Sequence, residues 1–300
     1  MNEISTDVAI IGCGPAGLQA AIHAARSKVK VVAIGHIDRS ALVKAKIENY
    51  FGIDSIEGLD ILKIGLAQAK KSGAEIFEED VIKFVKNEDH FLLETDNERK
   101  INAKTIVLAP GISRVKLGIK GEKEFLGRGV SYCASCDCNF FKGKRVAVIG
   151  DESVAASSAL LLKEYANKVY WISKGIRIAK PLMEKVKRST VEIVSPAHPV
   201  EILGDEVVTG IALKDGRKLE VDGVFIELGA KGAVELALEV GIIPDPSGII
   251  EVDKDCKTGV EGVFACGDVT GQPWQLAKAV GQGCVAGVRA AEFVKNMEGK

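Results

Sequence analysis

Short apolar runs alternate with helical patterns over most of this 300-residue chain. Runs rich in β-branched residues predict buried parallel strands, at 7–11, 30–34, 105–109, 145–149, 169–173 and 224–228. Apolar residues at helical spacing predict helices, at 18–25, 58–71, 156–165 and from about 275 onward. The order strand–helix–strand occurs near the start and again in the middle, which predicts an α/β protein with two βαβ units.

Shorter strand patterns lie between and after these units, at 75–77, 81–86, 91–94, 207–213, around 219 and at 262–268. The first three predict a small antiparallel sheet that returns to the main sheet at 106–109. Two glycine-containing segments, Pro110–Gly111 and Gly229–Gly232, are candidate crossings between two domains.

Composition narrows the class of protein. The 40 Lys and Arg residues balance 41 Asp and Glu residues, for a net charge of -1, so we expect no nucleic-acid partner. No apolar run approaches the roughly 18 residues of a membrane helix. The polar, acidic N-terminal segment lacks the positive charge of a signal peptide. These features predict a cytoplasmic protein without membrane attachment.

A glycine motif of the form G-x-G-x-x-G follows the first strand and opens the first helix. It comprises Gly12, Cys13, Gly14, Pro15, Ala16 and Gly17. In this setting Gly12 makes a tight turn, Gly14 lets the backbone approach a pyrophosphate, and Gly17 lets the helix pack on the strand. The motif therefore predicts a dinucleotide site at the start of the chain.

The acid that usually follows such a motif by about 20 residues is absent. Its place is taken by Gly35, and Asp38 is the nearest carboxylate. Three explanations stay open: Asp38 reaches the ribose, a backbone group does so, or the ligand is bound more weakly there.

A C-x-x-C pair, Cys133 and Cys136, lies just before the second βαβ unit. A structural metal site would need a second pair of ligands, and the chain has none at suitable spacing, so we predict no metal. A redox-active dithiol is favoured over an inert buried pair. Asp137 could then carry the thiol proton. Cys138 extends the run to C-x-x-C-x-C; a cluster ligand, a resolving thiol or a packing role are its alternatives, and packing is favoured.

The second βαβ unit has an altered turn. Gly150–Ala155 lies where G-x-G-x-x-A belongs, but the central glycine is Glu152. The second unit thus repeats the architecture of the first without its phosphate-binding detail.

Together these motifs resemble the low-molecular-weight thioredoxin reductases of the flavoprotein disulfide reductase family. The resemblance covers the whole chain, and its motifs are G-C-G-P-A-G at 12–17, I-E-N-Y-F-G at 47–52, Y-C-A-S-C-D at 132–137, the altered turn at 150–155 and F-A-C-G-D-V at 264–269. It implies two Rossmann-like, three-layer ββα domains, the second inserted in the first. An FAD domain would comprise 1–113 with 247–300, and a dithiol domain 114–246.

The resemblance also implies roles for individual residues. FAD would be bound by Gly12, Cys13, Gly14, Pro15, Ala16, Gly17, Asp38, Asn49, Ala109, Gly267, Asp268, Gln275 and Leu276. Asn49 would lie near the isoalloxazine ring, and Trp274 stands where the family has Arg. Cys136 would exchange electrons with the flavin, while Cys133 would attack the disulfide of a thioredoxin-like partner. A homodimer and a rotation about the two crossings are implied as well.

The electron donor is expected to differ from that of NADPH-dependent relatives. Glu152 and Asp151 would present carboxylates to an anionic ligand, and Lys174 with Arg177 would replace the family's His-Arg-Arg cluster. We therefore predict that NADPH is used poorly or not at all, and that reduced deazaflavin or reduced ferredoxin donates electrons. The alternatives are NADPH or NADH bound by other contacts, a flavin-binding redox sensor, and a ferredoxin:NADP reductase-like enzyme, which normally lacks the dithiol.

Overall fold

The computed structural model describes residues 3–112, 116–229, 232–245 and 247–298. The chain forms two compact units, Met1–Ser113 with Gly232–Lys300, and Arg114–Lys231. The units therefore divide between 231 and 232, inside the segment Gly229–Gly232 that was predicted as the second crossing, whereas the predicted domain bounds assign residues 232–246 to the other domain. Within the predicted segment Gly229–Gly232, residues 230 and 231 lie outside the described residues.

The helix Ala233–Glu239 explains this difference. Its buried residues Leu236 and Ala237 pack in the first unit's core, beside Val240 and Ile242. Because burial of these side chains fixes the segment to the first unit, the crossing must come before it.

The first segment of unit one alternates strands and helices as predicted, with small shifts of the ends. Its strands are β1 (Glu3–Ile11), β2 (Val31–Ile34), β3 (Lys46–Ile47), β4 (Ile56–Glu57), β5 (Glu75–Phe77), β6 (Val81–Lys86), β7 (Phe91–Thr95) and β8 (Lys100–Leu108). Its helices are α1 (Pro15–Arg26) and α2 (Gly58–Lys71).

The main sheet of unit one has the strand order β5-β2-β1-β8-β7-β6. As predicted, β6 and β7 pair antiparallel and return to the main sheet through β8, but β5 does not join them and pairs in parallel with β2. The long strand β8 joins the parallel and antiparallel parts of this sheet. Its residues 100–103 pair antiparallel with β7, while the whole strand runs parallel to β1.

Unit two has its own elements. Its strands are β9 (Val130–Ser131), β10 (Arg145–Ile149), β11 (Lys168–Ile172), β12 (Glu192–Val194), β13 (Pro199–Gly204), β14 (Val208–Leu213), β15 (Lys218–Glu220) and β16 (Gly223–Ile226). Its helices are α3 (Ala134–Asp137), α4 (Ser153–Leu162) and α5 (Lys180–Lys187). After the second crossing unit one is completed by α6 (Ala233–Glu239), β17 (Val263–Ala265) and α7 (Leu276–Glu298).

Unit two is built in three layers around the parallel sheet β12-β11-β10-β16-β9. Alternate residues of β10 face opposite sides. Val146 and Val148 pack toward α4 and α5, and Ala147 and Ile149 pack toward the antiparallel sheet β13-β14-β15. The predicted ββα layering is therefore confirmed for this unit.

In unit one the helix layer is unusually tight where α7 crosses α1. A Cβ atom on Gly283 would collide with the carbonyl oxygen of Ala16, and one on Gly287 with that of Ala20. Only glycine permits this approach. Within the described ranges, no helix has the length and apolar character needed to cross a membrane.

Candidate functional site

Packing explains two of the three glycines in the first turn. Gly12 has a φ of +114°, and a Cβ atom there would strike the carbonyl of Ala109. A Cβ atom on Gly17 would strike the carbonyl oxygen of Gly12. These contacts bring β1, α1 and the end of β8 together, as the roles of the first and third glycines require.

The middle glycine has free space beside it. Gly14 is the N-cap of α1, no side chain caps the helix there, and Pro15 follows in its first turn. A Cβ atom on Gly14 would meet only Ser40 Oγ, at 3.7 Å, among the described residues. An anion can therefore approach the backbone at this helix N-terminus, as the sequence predicted for a pyrophosphate.

Two residues of the predicted set contribute through backbone alone. Cys13 is 2% exposed, and burial raises the pKa of its thiol to about 12. Ala109 is also buried, and its amide donates to the carbonyl of Ile11. Neither side chain is available to a ligand.

The missing acid after β2 has a steric cause. Gly35 has a φ of +144°, and a Cβ atom there would lie 3.0 Å from the Cys13 amide nitrogen. Asp38 is exposed on the following 3₁₀ turn. The turn is anchored instead by Arg39, whose Nη1 lies 2.7 and 2.9 Å from the two carboxylate oxygens of the buried Asp80. The sequence analysis missed this ion pair.

The structure brings Asn49 together with Gln275, although 226 positions separate them. Asn49 Nδ2 donates to Gln275 Oε1 at 3.1 Å. Gln275 precedes the first residue of α7, Leu276, which is partly buried, and Trp274 is 56% exposed. Two residues assigned to the flavin ring by resemblance thus meet in one place.

Gly267 and Asp268 form a turn that lies against the N-terminal part of α1. A Cβ atom on Gly267 would lie 2.8 Å from Ala16 Cβ. Lys278 Nζ donates to the Gly267 carbonyl at 3.1 Å, and Gln282 Oε1 accepts from the Gly267 amide at 3.0 Å. Burial raises the pKa of Asp268, and the Lys278 ammonium offsets part of this rise. Sequence reasoning missed Lys278 and Gln282, because their role depends on contacts across α7.

In unit two Cys133 and Cys136 form a disulfide of 2.00 Å. Cys133 is the N-cap of α3, and its Sγ accepts from the Cys136 amide at 3.3 Å. Cys136 is exposed and Cys133 is half-buried. The pair is therefore open to thiol–disulfide exchange.

Asp137 is tied to the dithiol turn through a hydroxyl that the sequence analysis did not identify. Ser131 Oγ donates to Asp137 Oδ2 at 2.6 Å, and it accepts from the Cys133 amide at 3.0 Å. The serine fixes the carboxylate next to the turn, which suits a group that exchanges protons with a thiol.

Cys138 is a packing residue, as favoured from the sequence. It is 3% exposed and lies in the core with Phe141. Its Sγ donates to the Ser135 carbonyl at 3.8 Å. A separate side-chain hydrogen bond between Cys138 and Tyr165 raises the pKa of the tyrosine. Among the residues that the structure describes, no group of three or more His, Cys, Asp or Glu side chains could hold a metal ion.

The altered turn of the second βαβ unit contains a carboxylate side chain, that of Glu152. Glu152 is the N-cap of α4, and its side chain is only 14% exposed. Arg177 Nη2 lies 3.1 Å from Glu152 Oε1. The position that a pyrophosphate takes in such folds, at the helix N-terminus, therefore holds a carboxylate and its counter-ion.

The Asp151 carboxylate is hydrogen-bonded to the loop after β11, which bears on its predicted role beside an anionic ligand. Its Oδ1 accepts from Ser173 Oγ at 2.8 Å and from the Lys174 amide at 2.8 Å. Its charge is thus used to hold the loop after β11. Both carboxylates expected to face an anionic ligand line one cavity, but that of Asp151 is already engaged by the loop after β11.

A cavity of about 310 Å³ opens at this edge of the second sheet. Its lining residues are Lys116, Leu117, Asp151, Glu152, Lys174, Arg177, Leu228 and Gly229. Three cations and two carboxylates make it a polar site. Its position, beyond the carboxyl ends of parallel strands, is where open α/β sheets bind ligands.

Comparison with known proteins assigns the chain to a family. The model of the pyridine nucleotide-disulphide oxidoreductase family matches residues 6–283. A thioredoxin reductase from Aquifex aeolicus is 41% identical over 302 residues, covering 96% of this chain and 93% of the relative. The crystal structure of the atypical thioredoxin reductase TRi from Desulfovibrio vulgaris Hildenborough has a TM-score of 0.85 at 32% identity, covering 97% of this chain and 98% of that one.

A second solved structure, the ferredoxin-flavin thioredoxin reductase from Clostridium acetobutylicum, has a TM-score of 0.72 at 35% identity and covers both chains fully. The family model spans most of the chain, and the Aquifex aeolicus relative is similar over nearly the full length of both chains. The protein is therefore a disulfide oxidoreductase of the pyridine nucleotide-disulphide oxidoreductase family, similar in sequence and fold to proteins named thioredoxin reductase.

Proposed function

We propose that this protein is an FAD-dependent reductase that passes electrons from a donor other than NADPH to Cys133–Cys136 and then to a thioredoxin-like protein. The observation that carries the choice of donor is the Glu152 carboxylate at the N-terminus of α4. We further propose that the enzyme is a homodimer, which size-exclusion chromatography with light scattering would test.

Unit one has the features that FAD binding requires. The open backbone at Gly14 and the N-terminus of α1 suit the pyrophosphate, and the Asp268 carboxylate can accept hydrogen bonds from a ribityl chain. Asn49 and Gln275 would bind the ring end. Bound FAD would take up two electrons and deliver them to the disulfide.

The dithiol chemistry is assigned to unit two. Reduction breaks the Cys133–Cys136 bond and consumes two electrons and two protons, and Asp137 can supply or accept a proton beside the turn. Cys133 would then attack the partner's disulfide as a thiolate, forming a mixed disulfide. Attack by Cys136 on that bond would restore the ring and release the reduced partner.

The cavity of unit two is the proposed donor site. Glu152 takes the place of the motif's central glycine and would oppose a pyrophosphate, while Lys116, Lys174 and Arg177 line the same cavity with cationic groups. A reduced deazaflavin is favoured because a hydride carrier could use the same crevice by other contacts. Reduced ferredoxin is the second candidate, because the similar protein from Clostridium acetobutylicum is named a ferredoxin-flavin thioredoxin reductase.

Anaerobic stopped-flow spectroscopy tests the proposal. The oxidised flavoprotein would be mixed in turn with NADPH, NADH, reduced deazaflavin and reduced ferredoxin, and the flavin band followed. We expect rapid bleaching with reduced deazaflavin or ferredoxin and slow or no bleaching with NADPH. Rapid bleaching by micromolar NADPH would refute the assignment of the donor.

A further inference from the structure

Glu227 is a buried carboxylate that lies against the dithiol turn. It directly follows β16, is 4% exposed, and its Oε1 accepts from the Ala134 amide at 3.0 Å. Ala134 is the first residue of α3, next to Cys133. This contact could not be predicted from the sequence, because 93 positions separate the two residues.

The backbone holds this carboxylate in place. The Glu227 amide donates to the Ile149 carbonyl at 2.9 Å, which continues the pairing of β16 with β10. The Glu227 carbonyl packs so closely against Gly150 that a Cβ atom there would collide with it. Because both sides of the residue are fixed by the sheet, its side chain has little freedom to leave the dithiol turn.

The contact opposes the usual activation of a C-x-x-C turn. Amides at the start of a helical turn stabilise a thiolate, which is the reactive form of cysteine. Here the Cys136 amide faces Cys133 Sγ at 3.3 Å, but the Ala134 amide is engaged by Glu227. In addition, the negative charge of Glu227, whose Oε1 is bonded to the amide next to Cys133, would repel a second negative charge on that cysteine.

We propose that Glu227 is a positioning residue that disfavours the thiolate of Cys133 in the reduced enzyme and thereby makes the dithiol a stronger reductant. The inference rests on the proposed function only in taking Cys133–Cys136 as the redox couple. The disulfide plus two electrons and two protons gives the dithiol, and loss of the Cys133 proton then leaves a charge next to Glu227. Since that charge is destabilised, the equilibrium lies further toward the disulfide.

Glu227→Gln is the decisive variant, because an amide oxygen can still accept from Ala134 while the charge is removed. The full-length, FAD-loaded protein would be reduced with excess dithiothreitol, desalted anaerobically and pulsed with iodoacetamide at pH 7. Peptide mapping would follow alkylation at Cys133. We expect alkylation about tenfold faster than in the parent, since the rate follows the thiolate fraction.

Two further variants separate charge from geometry. Glu227→Leu also frees the Ala134 amide, so we expect alkylation at least as fast as in Glu227→Gln. Glu220→Gln removes the same charge from the exposed strand β15 and should leave the rate unchanged. FAD content and the far-UV spectrum would verify that each variant is folded.

The redox equilibrium gives an independent measurement that needs neither the donor nor the protein partner. In glutathione buffers, two glutathione molecules reduce one disulfide, giving dithiol and oxidised glutathione. We expect Glu227→Gln to favour the dithiol by about tenfold, or about 30 mV. A parent whose Cys133 and Cys136 do not exchange would refute the dithiol function itself. A parent that exchanges, with a Gln variant within twofold of it in both measurements, would refute the role of Glu227 alone.

Discussion

Replacement of Glu152 by glycine would restore the G-x-G spacing of the second nucleotide turn, and we expect this single change to increase the use of NADPH. Glu152 has extended backbone angles, φ -119° and ψ -179°, which glycine adopts without strain. Its side chain is 14% exposed, so its removal opens space at the N-terminus of α4. The freed Arg177 could then bind a phosphate.

The expected gain in NADPH binding free energy is the repulsion that Glu152 exerts on a phosphate, reduced by the screening effect of Arg177. A carboxylate about 4 Å from one phosphate charge costs about 4 kcal/mol at an effective dielectric constant near 20. Arg177, at 3.1 Å from Glu152 but 70% exposed, offsets part of this cost. A net gain of about 1.4–2.8 kcal/mol corresponds to about ten- to hundredfold tighter NADPH binding. Loss of the carboxylate from the helix N-terminus costs only about 0.3–1 kcal/mol of stability, so the variant should stay folded.

The assay is the NADPH dependence of flavin reduction under anaerobic stopped flow. Glu152→Gln is the matched control, because it removes the charge but keeps most of the bulk; it should gain less than Glu152→Gly. Reduction by deazaflavin or ferredoxin would verify that the flavin stays active in each variant. If Glu152→Gly and the parent have the same NADPH dependence within twofold, the carboxylate does not exclude the nucleotide and the reasoning is refuted.

Four other variants test the remaining assignments. Gly14→Asp should place a side chain and a charge against the pyrophosphate and yield protein with little bound FAD, as the visible spectrum would show; protein as yellow as the parent would contradict the assignment. Cys133→Ser and Cys136→Ser should each abolish reduction of a thioredoxin-like substrate, and full turnover by either would falsify the dithiol mechanism. Cys138→Ser should keep more than half of the turnover and lower the free energy of unfolding by about 1 kcal/mol, measured by urea denaturation; complete loss of turnover would instead indicate a resolving thiol.

The turns of the two βαβ units could be predicted from sequence because their requirements are local. Gly12 and Gly17 are demanded by contacts within a strand–turn–helix segment, and the structure shows both contacts. The altered residue Glu152 was recognised by the same spacing. Local geometry of this kind depends on consecutive residues, so a single sequence is enough to identify it.

Long-range polar contacts could not be predicted in this way. The pairing of Arg39 with Asp80 joins residues 41 positions apart. The hydrogen bond from Lys278 to the Gly267 carbonyl depends on how α7 packs against the turn at 267–268. Neither leaves a periodic pattern. Asp38 was chosen from proximity in sequence, yet steric crowding at Gly35 and the exposed 3₁₀ turn are properties of the folded chain.

The predicted domain bound at 246/247 differs from the observed division at 231/232 for a related reason. Helix α6 is only seven residues long, too short for a clear helical period, and lies between glycine-containing segments. Its assignment to unit one depends on where Leu236 and Ala237 are buried. Helix α5 was also missed, since only Leu182 and Val186 on its eight residues are buried and the rest of its pattern is polar.

The two turns together separate fold from function in this chain. Both units place a helix N-terminus at the carboxyl edge of a parallel strand, and both keep the first glycine of the motif. In unit one the middle position is Gly14, beside open space. In unit two it is Glu152, paired with Arg177. Because the supporting layers are retained in both, we propose that one side chain rather than the architecture determines which turn can accept a pyrophosphate.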